Sequence, residues 1–238
     1  PFTFVVLSRL GADVRRSLLI PVVCMQTIAA NLGSMLTPIG NPQNLYLYGK
    51  SGMSIGGFVL LMLPYTLVSL LLLLAWAALV CRKASAALSV DELVSSSASQ
   101  GDQKIILLYL VLFAVCLLSV IRVLPYGIAF AAVLVCALFA DPRTLRTVDY
   151  SLLLTFVAFF IFIGNLGRIP AFSGWLQEFL TGREVLVAVL ASQVTSNVPA
   201  ALLLSGFTAE TQALIIGTNL GGLGTLIASM ASLISYRQ

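Results

Sequence analysis

The chain has no histidine, nine acidic residues and two tryptophans in 238 positions. Without an imidazole there is no Ser-His or Cys-His pair to activate a nucleophile, and no mixed Cys/His set for a metal. The four cysteines, Cys24, Cys81, Cys116 and Cys136, sit singly in apolar surroundings with no Cys-x-x-Cys spacing. They read as small buried hydrophobes rather than ligands. Charge of either sign is scarce: 9% of residues are Asp, Glu, Lys or Arg, 59% are hydrophobic, and the mean hydropathy is +1.03. Soluble domains carry about 25% charged residues, so this composition excludes a soluble fold and places the chain in a lipid bilayer. The net charge of +4 would suit a nucleic-acid partner, yet the basic residues pair up only at Arg15-Arg16 and Arg82-Lys83. No nucleic acid, cofactor or enzymatic activity is expected.

What is present is a series of apolar runs too long for barrel strands, so the fold class is an all-α membrane protein. Residues 1–10 read as the end of an apolar segment, followed by a basic loop and a helix from about Leu18. Residues 56–81 form the clearest full span, with Pro64 a predicted kink. The stretch "RKASAALSVDELVSSSASQGDQK", 82–104, is a solvated linker. It divides the chain into 1–81, the end of a first repeat, and 105–238, a second. Spans follow at 105–121, 126–140 and 150–164. Residues 166–182, with Trp175, read as interfacial. Residues 183–206 are two apolar arms meeting at Ser196-Asn197-Val198-Pro199. Each arm is too short to cross about 30 Å of hydrocarbon, which predicts a re-entrant hairpin. With the loop before residue 18 cytoplasmic, that side collects nine basic residues and the other side only Lys50, Arg122, Arg168 and Arg183. This is the positive-inside asymmetry of a multi-pass inner-membrane protein.

Two polar breaks interrupt the apolar pattern. Residues 31–46, "NLGSMLTPIGNPQNLY", align with 219–234 at a constant offset of 188, with six identities in sixteen positions: Asn31/Asn219, Leu32/Leu220, Gly33/Gly221, Thr37/Thr225, Ile39/Ile227 and Leu45/Leu233. The predicted topology runs the two copies in opposite directions, the layout of inverted-repeat transporters. Unwinding at Gly33, Gly40, Gly221, Gly222 and Gly224 is expected to free carbonyls for a cation, and the opposing half-helix N-termini to attract an anion. Asn31, Thr37, Asn41, Asn44, Ser196, Asn197, Asn219 and Thr225 supply neutral oxygens and amides. No Asp, Glu, Lys or Arg lies at the centre of a span. Oxygen coordination of sodium therefore fits better than a carboxylate proton relay. Gln26 and Gln193 either line the pathway or bond a neighbouring helix. Arg168 is expected to snorkel to the interface.

These motifs resemble the ion transporter superfamily, which includes divalent anion/sodium symporters, citrate transporters and arsenite-pump membrane proteins. "QTIAANLGSMLTPIGNPQN" looks like its first broken helix, "SQVTSNVPAALLL" like its second hairpin and "GTNLGGLGTLIAS" like its second broken helix. The resemblance implies a scaffold plus an elevator-like transport domain, with Ser196 and Asn197 at the hairpin tip beside the two breaks. It implies a sodium-coupled symporter of a small anion, working as a homodimer in the membrane. Arsenite-type efflux, sodium/proton antiport, a passive channel and an inactive fragment are the alternatives. The chain has no initial Met, and the first hairpin tip is expected upstream of Pro1 and a final helix after Gln238. Val198-Pro199 stands where carboxylate symporters have Thr-Ala-type residues.

Overall fold

A computed structural model describes residues 12–81 and 103–236. The apolar segment 1–10, most of the linker 82–104, and Arg9, Arg82, Lys83 and Arg237 lie outside the described residues. Among the described residues there is no strand, and the helices are α1 Ala12–Ser34, α2 Pro42–Ser51, α3 Ile55–Cys81, α4 Gln103–Val120, α5 Tyr126–Ala140, α6 Pro142–Thr147, α7 Tyr150–Leu166, α8 Pro170–Leu180, α9 Glu184–Thr195, α10 Asn197–Leu204, α11 Thr211–Leu220 and α12 Met230–Tyr236.

The predicted spans at 126–140 and 150–164 coincide closely with α5 and α7. The first helix begins at Ala12 rather than near Leu18. The basic stretch is compatible with helix because Arg is a good helix former. Pro64 lies inside α3 without ending it. With 27 residues, α3 is about 40 Å long, more than the hydrocarbon thickness. It exposes Leu60, Leu67, Leu71, Leu72, Leu74 and Leu79, the apolar surface that lipid tails cover. Among the described residues two helices, Ile55–Val80 and Gln103–Val120, are long and apolar enough to span a membrane, and α7 and α8 form a further apolar pair bent by 99°. The bend falls where Gly167 closes α7 with a bond to the Ile163 carbonyl and Pro170 starts α8. Proline at the first helical position loses no hydrogen bond there.

Two compact bodies make up the chain: Pro1–Leu93 with Phe159–Gln238, and Val94–Ala158. In the second, α4 packs on α5 and α5 on α6. The turn between α5 and α6 is tied by Asp141, whose Oδ2 accepts from the Thr144 hydroxyl at 2.7 Å and the Tyr109 phenol at 2.9 Å. Those two bonds, Thr144 first, hold the exposed carboxyl below its usual range. In the first body, α9 packs on α10 and α11, α2 on α10 and α11, and α1 on α3 and α12. Its fully buried side chains include Met35, Leu47, Phe58, Met62, Leu204 and Leu214. The buried polar residues among those described are all amides and hydroxyls: Asn31, Gln43, Asn44, Ser192, Asn197, Ser205, Thr218, Asn219 and Ser229.

Candidate binding site at the two helix breaks

Both breaks are present, with shifted limits. The first runs from Met35 to Asn41 between α1 and α2, and the second from Gly221 to Ser229 between α11 and α12. Gly33 does not unwind: it lies within α1, exposed, with open space where a Cβ would stand. The turn is made instead at Gly40, whose N–H donates to the Thr37 carbonyl at 3.1 Å. A Cβ on Gly40 would overlap the Ser34 carbonyl, so only glycine fits. Asn41 caps α2 in an extended conformation, with Pro42 at the first helical position. In the second break Gly224 has φ +129° and faces the Gln193 carboxamide.

The breaks meet through their asparagines. Asn31, at the end of α1, donates through Nδ2 to the Ser229 hydroxyl at 2.9 Å. Asn219, at the end of α11, donates to Asn44 Oδ1 at 2.6 Å and to the Ile215 carbonyl at 2.8 Å. Its Oδ1 receives a longer bond of 3.5 Å from Asn41 Nδ2. Subtracting or adding the 188-residue offset exchanges Asn31 with Asn219 and Asn41 with Ser229. The Asn31–Ser229 and Asn219–Asn41 contacts are thus equivalents under exchange of the two copies. Asn44 is fully buried, and its Nδ2 donates to the Thr37 carbonyl at 3.3 Å and the Met35 carbonyl at 3.5 Å. It ties the first break together.

The tip between α9 and α10 is one residue, Ser196, at φ 75° and ψ 155°. That region is essentially reserved for glycine and costs an L-residue about 1–3 kcal/mol. The tip lies against the second break: Asn197 N–H donates to the Ala228 carbonyl at 3.0 Å, and the Ser196 hydroxyl approaches the same oxygen at 3.5 Å. A Cβ on Gly222 would come within 3.2 Å of Asn197 Nδ2. Behind the tip, α9 and α11 approach closely. A Cβ on Gly221 would lie 2.8 Å from Ser192 Cβ and 2.9 Å from Val189 Cα.

The expected freeing of carbonyls is met only in part. Gln193 Nε2 donates to the Gly221 carbonyl at 2.7 Å and the Leu223 carbonyl at 3.0 Å, and its Oε1 accepts from Thr225 N–H at 3.0 Å. The exposed Thr225 hydroxyl donates to the Gln193 carbonyl at 2.9 Å. Gln193 therefore bonds the neighbouring segment. Asn31, Asn41, Asn44, Ser196, Asn197, Asn219, Gly222 and Ser229 are thus drawn together at the breaks, while Gly33 stays apart.

Ser229 and Ser205 carry no motif that marks them. Ser229 shows only in the repeat, at the position equivalent to Asn41. Ser205, after α10, accepts from the Lys50 ammonium through its carbonyl and pairs with the Tyr46 hydroxyl at 3.0 Å. This joins the end of α2 to the end of α10. A cavity of about 380 Å³ between α1, the second break and α12 is lined by Cys24, Thr27, Thr225, Ser232 and Ser235.

Residues 1–235 match the citrate transporter family. The inner membrane protein YbiR of Escherichia coli is 34% identical over 224 residues, covering 91% of this chain and 58% of that protein. An uncharacterized transporter of Methanocaldococcus jannaschii is 32% identical over 216 residues, covering 91% of this chain and 57% of its own. The chain thus spans less than two thirds of the length of either relative. No solved structure matches. The match across nearly the whole chain, with the apolar helices and the similarity to an inner membrane protein, makes this an integral multi-pass membrane protein that belongs to the citrate transporter family, a family of transporters and not of enzymes.

Proposed function

We propose that the complete protein is a secondary active transporter. It moves a small anion, a di- or tricarboxylate or an inorganic oxyanion, coupled to a cation gradient, with sodium favoured over the proton. The observation that carries this reading is the equivalence of the Asn31–Ser229 and Asn219–Asn41 contacts under exchange of the two breaks. A packing accident between two glycine-rich segments would not reproduce the offset found in the sequence. The paired breaks are then the two halves of one site, in inverted repeats 1–81 and 105–238 joined by a cytoplasmic linker at 82–104. The site residues are Asn31, Thr37, Gly40, Asn41 and Asn44 from the first break, Asn219, Gly221, Gly222, Gly224 and Thr225 from the second, and Ser196 and Asn197 from the tip. Neutral oxygens suit a dehydrated hard cation. The α2 N-terminus suits an anion. Strain stored at Ser196 fits a functional tip. The same reading includes an elevator-like transport domain and a homodimeric assembly.

Reconstitution of the full-length parent in proteoliposomes tests it. A sodium gradient should drive saturable uptake of citrate, succinate, phosphate or arsenite. Asn197→Ala and Asn219→Ala should each raise the half-saturating sodium concentration about tenfold, as expected for one lost charge-assisted bond, while membrane insertion is retained. Absence of cation-dependent flux of every anion sinks the reading; ohmic currents without saturation would replace it with a channel.

A further inference from the structure

One polar side chain in the first body plays no part in the contacts just described. Gln43, in the first turn of α2, is 1% exposed, and neither its Nε2 nor its Oε1 has a hydrogen-bond partner among the described residues. Its neighbours are accounted for: Asn44 binds Asn219 and the first break, and Asn41 reaches Asn219. A buried carboxamide forfeits hydration at both ends, and such groups in native proteins are nearly always satisfied. An orphan of this kind calls for a ligand, and both of its ends are orphaned. The acceptor alone could meet a cation, and the donor alone could meet an anion.

We propose that Gln43 couples the two transported species, its Oε1 ligating the cation and its Nε2 donating to the anion, so that the carboxamide is satisfied only when both are bound. This rests on the transport reading above. Both atoms are sealed from solvent, so they meet ligands only when the packing around them opens. Either ligand alone leaves one end of the amide unpaired. Binding of the first therefore spends the cost of opening, and the second binds to a prepared group, which is positive coupling.

The experiment uses the full-length protein with sodium and radiolabelled citrate, and two variants. Gln43→Met is close in shape and removes both polar ends. Gln43→Glu keeps an acceptor and, once ionised by a bound cation, has no donor. In wild type, sodium should lower the citrate KM by roughly 5- to 150-fold, the usual range for coupled sites. In Gln43→Met the citrate KM should no longer respond to sodium, while the melting temperature without sodium is unchanged or higher, because an unpaired polar group has been removed. Gln43→Glu should keep the sodium-induced rise in melting temperature and show a citrate KM about tenfold higher or more.

A Gln43→Met protein with the wild-type sodium response overturns the proposal; a buried water alone would give that result. A lower sodium-free melting temperature in Gln43→Met assigns a structural role and overturns it too. Wild-type protein with no cation-dependent flux of any of the four anions refutes the transport reading and this inference together. A coupled wild type with an equally coupled Gln43→Met refutes this inference alone.

Discussion

Single residues at the tip and the breaks trade stability for position. Ser196 occupies a backbone region that glycine enters without cost. Ser196→Gly should therefore stabilise the protein by roughly 1 kcal/mol, offset in part by the greater freedom of glycine in the unfolded chain. Ser196→Ala keeps the strain and loses the hydroxyl, so it should be no more stable than wild type. Denaturant titration in detergent distinguishes the two, and equal stability of the Gly and Ala variants would remove strain from the account. Much of this residue-level detail was legible in advance: Asn31, Asn41, Asn44, Asn197 and Asn219 are amides in an apolar chain, and the chemistry of such residues draws them together. Gln43 was not legible, because an amide in a polar motif beside Asn44 gives no sign that its neighbours will find partners and it will not.

At the scale of the helices, the close approach of α9 to α11 depends on Gly217 within α11 and Gly221, one turn on, at its C-cap. A Cβ at Gly217 would come within 2.6 Å of Ala188 Cβ, and one at Gly221 within 2.8 Å of Ser192 Cβ. Gly221→Ala should cost about 1–3 kcal/mol, the range for overpacking a tight contact. Its counterpart in the aligned repeat behaves oppositely: Gly33→Ala, in a helix with open space around it, should be neutral or stabilise by about 0.5–1 kcal/mol. Similar losses in both variants would show that glycine matters in both copies through backbone freedom rather than through packing. The aligned sequences could not separate the two, because the same Asn-Leu-Gly triplet begins each motif. What differs is the partner: α11 has the α9 arm against it, whereas Gly33 faces nothing among the described residues. The long helices at 56–81 and 105–121 and the shorter ones at 126–140 and 150–164 were readable from hydropathy, though among the described residues only the first two are each long and apolar enough to span a membrane. The early start of α1 was not, since two adjacent arginines look like a loop until helix propensity is weighed.

For the whole molecule, orientation in the bilayer is the property that charge determines most directly. On the topology proposed above, the basic excess would put Arg143 and Arg146 on the cytoplasmic side and Lys50 on the exterior. In a background lacking Cys24, Cys81, Cys116 and Cys136, Ser54→Cys in right-side-out vesicles should react with a membrane-impermeant maleimide. Thr147→Cys should react only after lysis. Labelling of both before lysis would overturn the topology, and with it the inverted relation of the breaks. The sequence proposes this orientation, which the labelling pattern tests, because positive charge and hydropathy add along the chain. It could not carry the state of the carbonyls, which depends on a residue from a different helix. Gln193 already occupies the Gly221 and Leu223 oxygens. Each carbonyl oxygen carries two lone pairs, so an ion that ligated one of them would share it with this amide rather than find it free. On the proposed reading, an ion at the second break would hold oxygens already partly engaged by a resident amide, so the chain itself would loosen the ion's grip and favour its release.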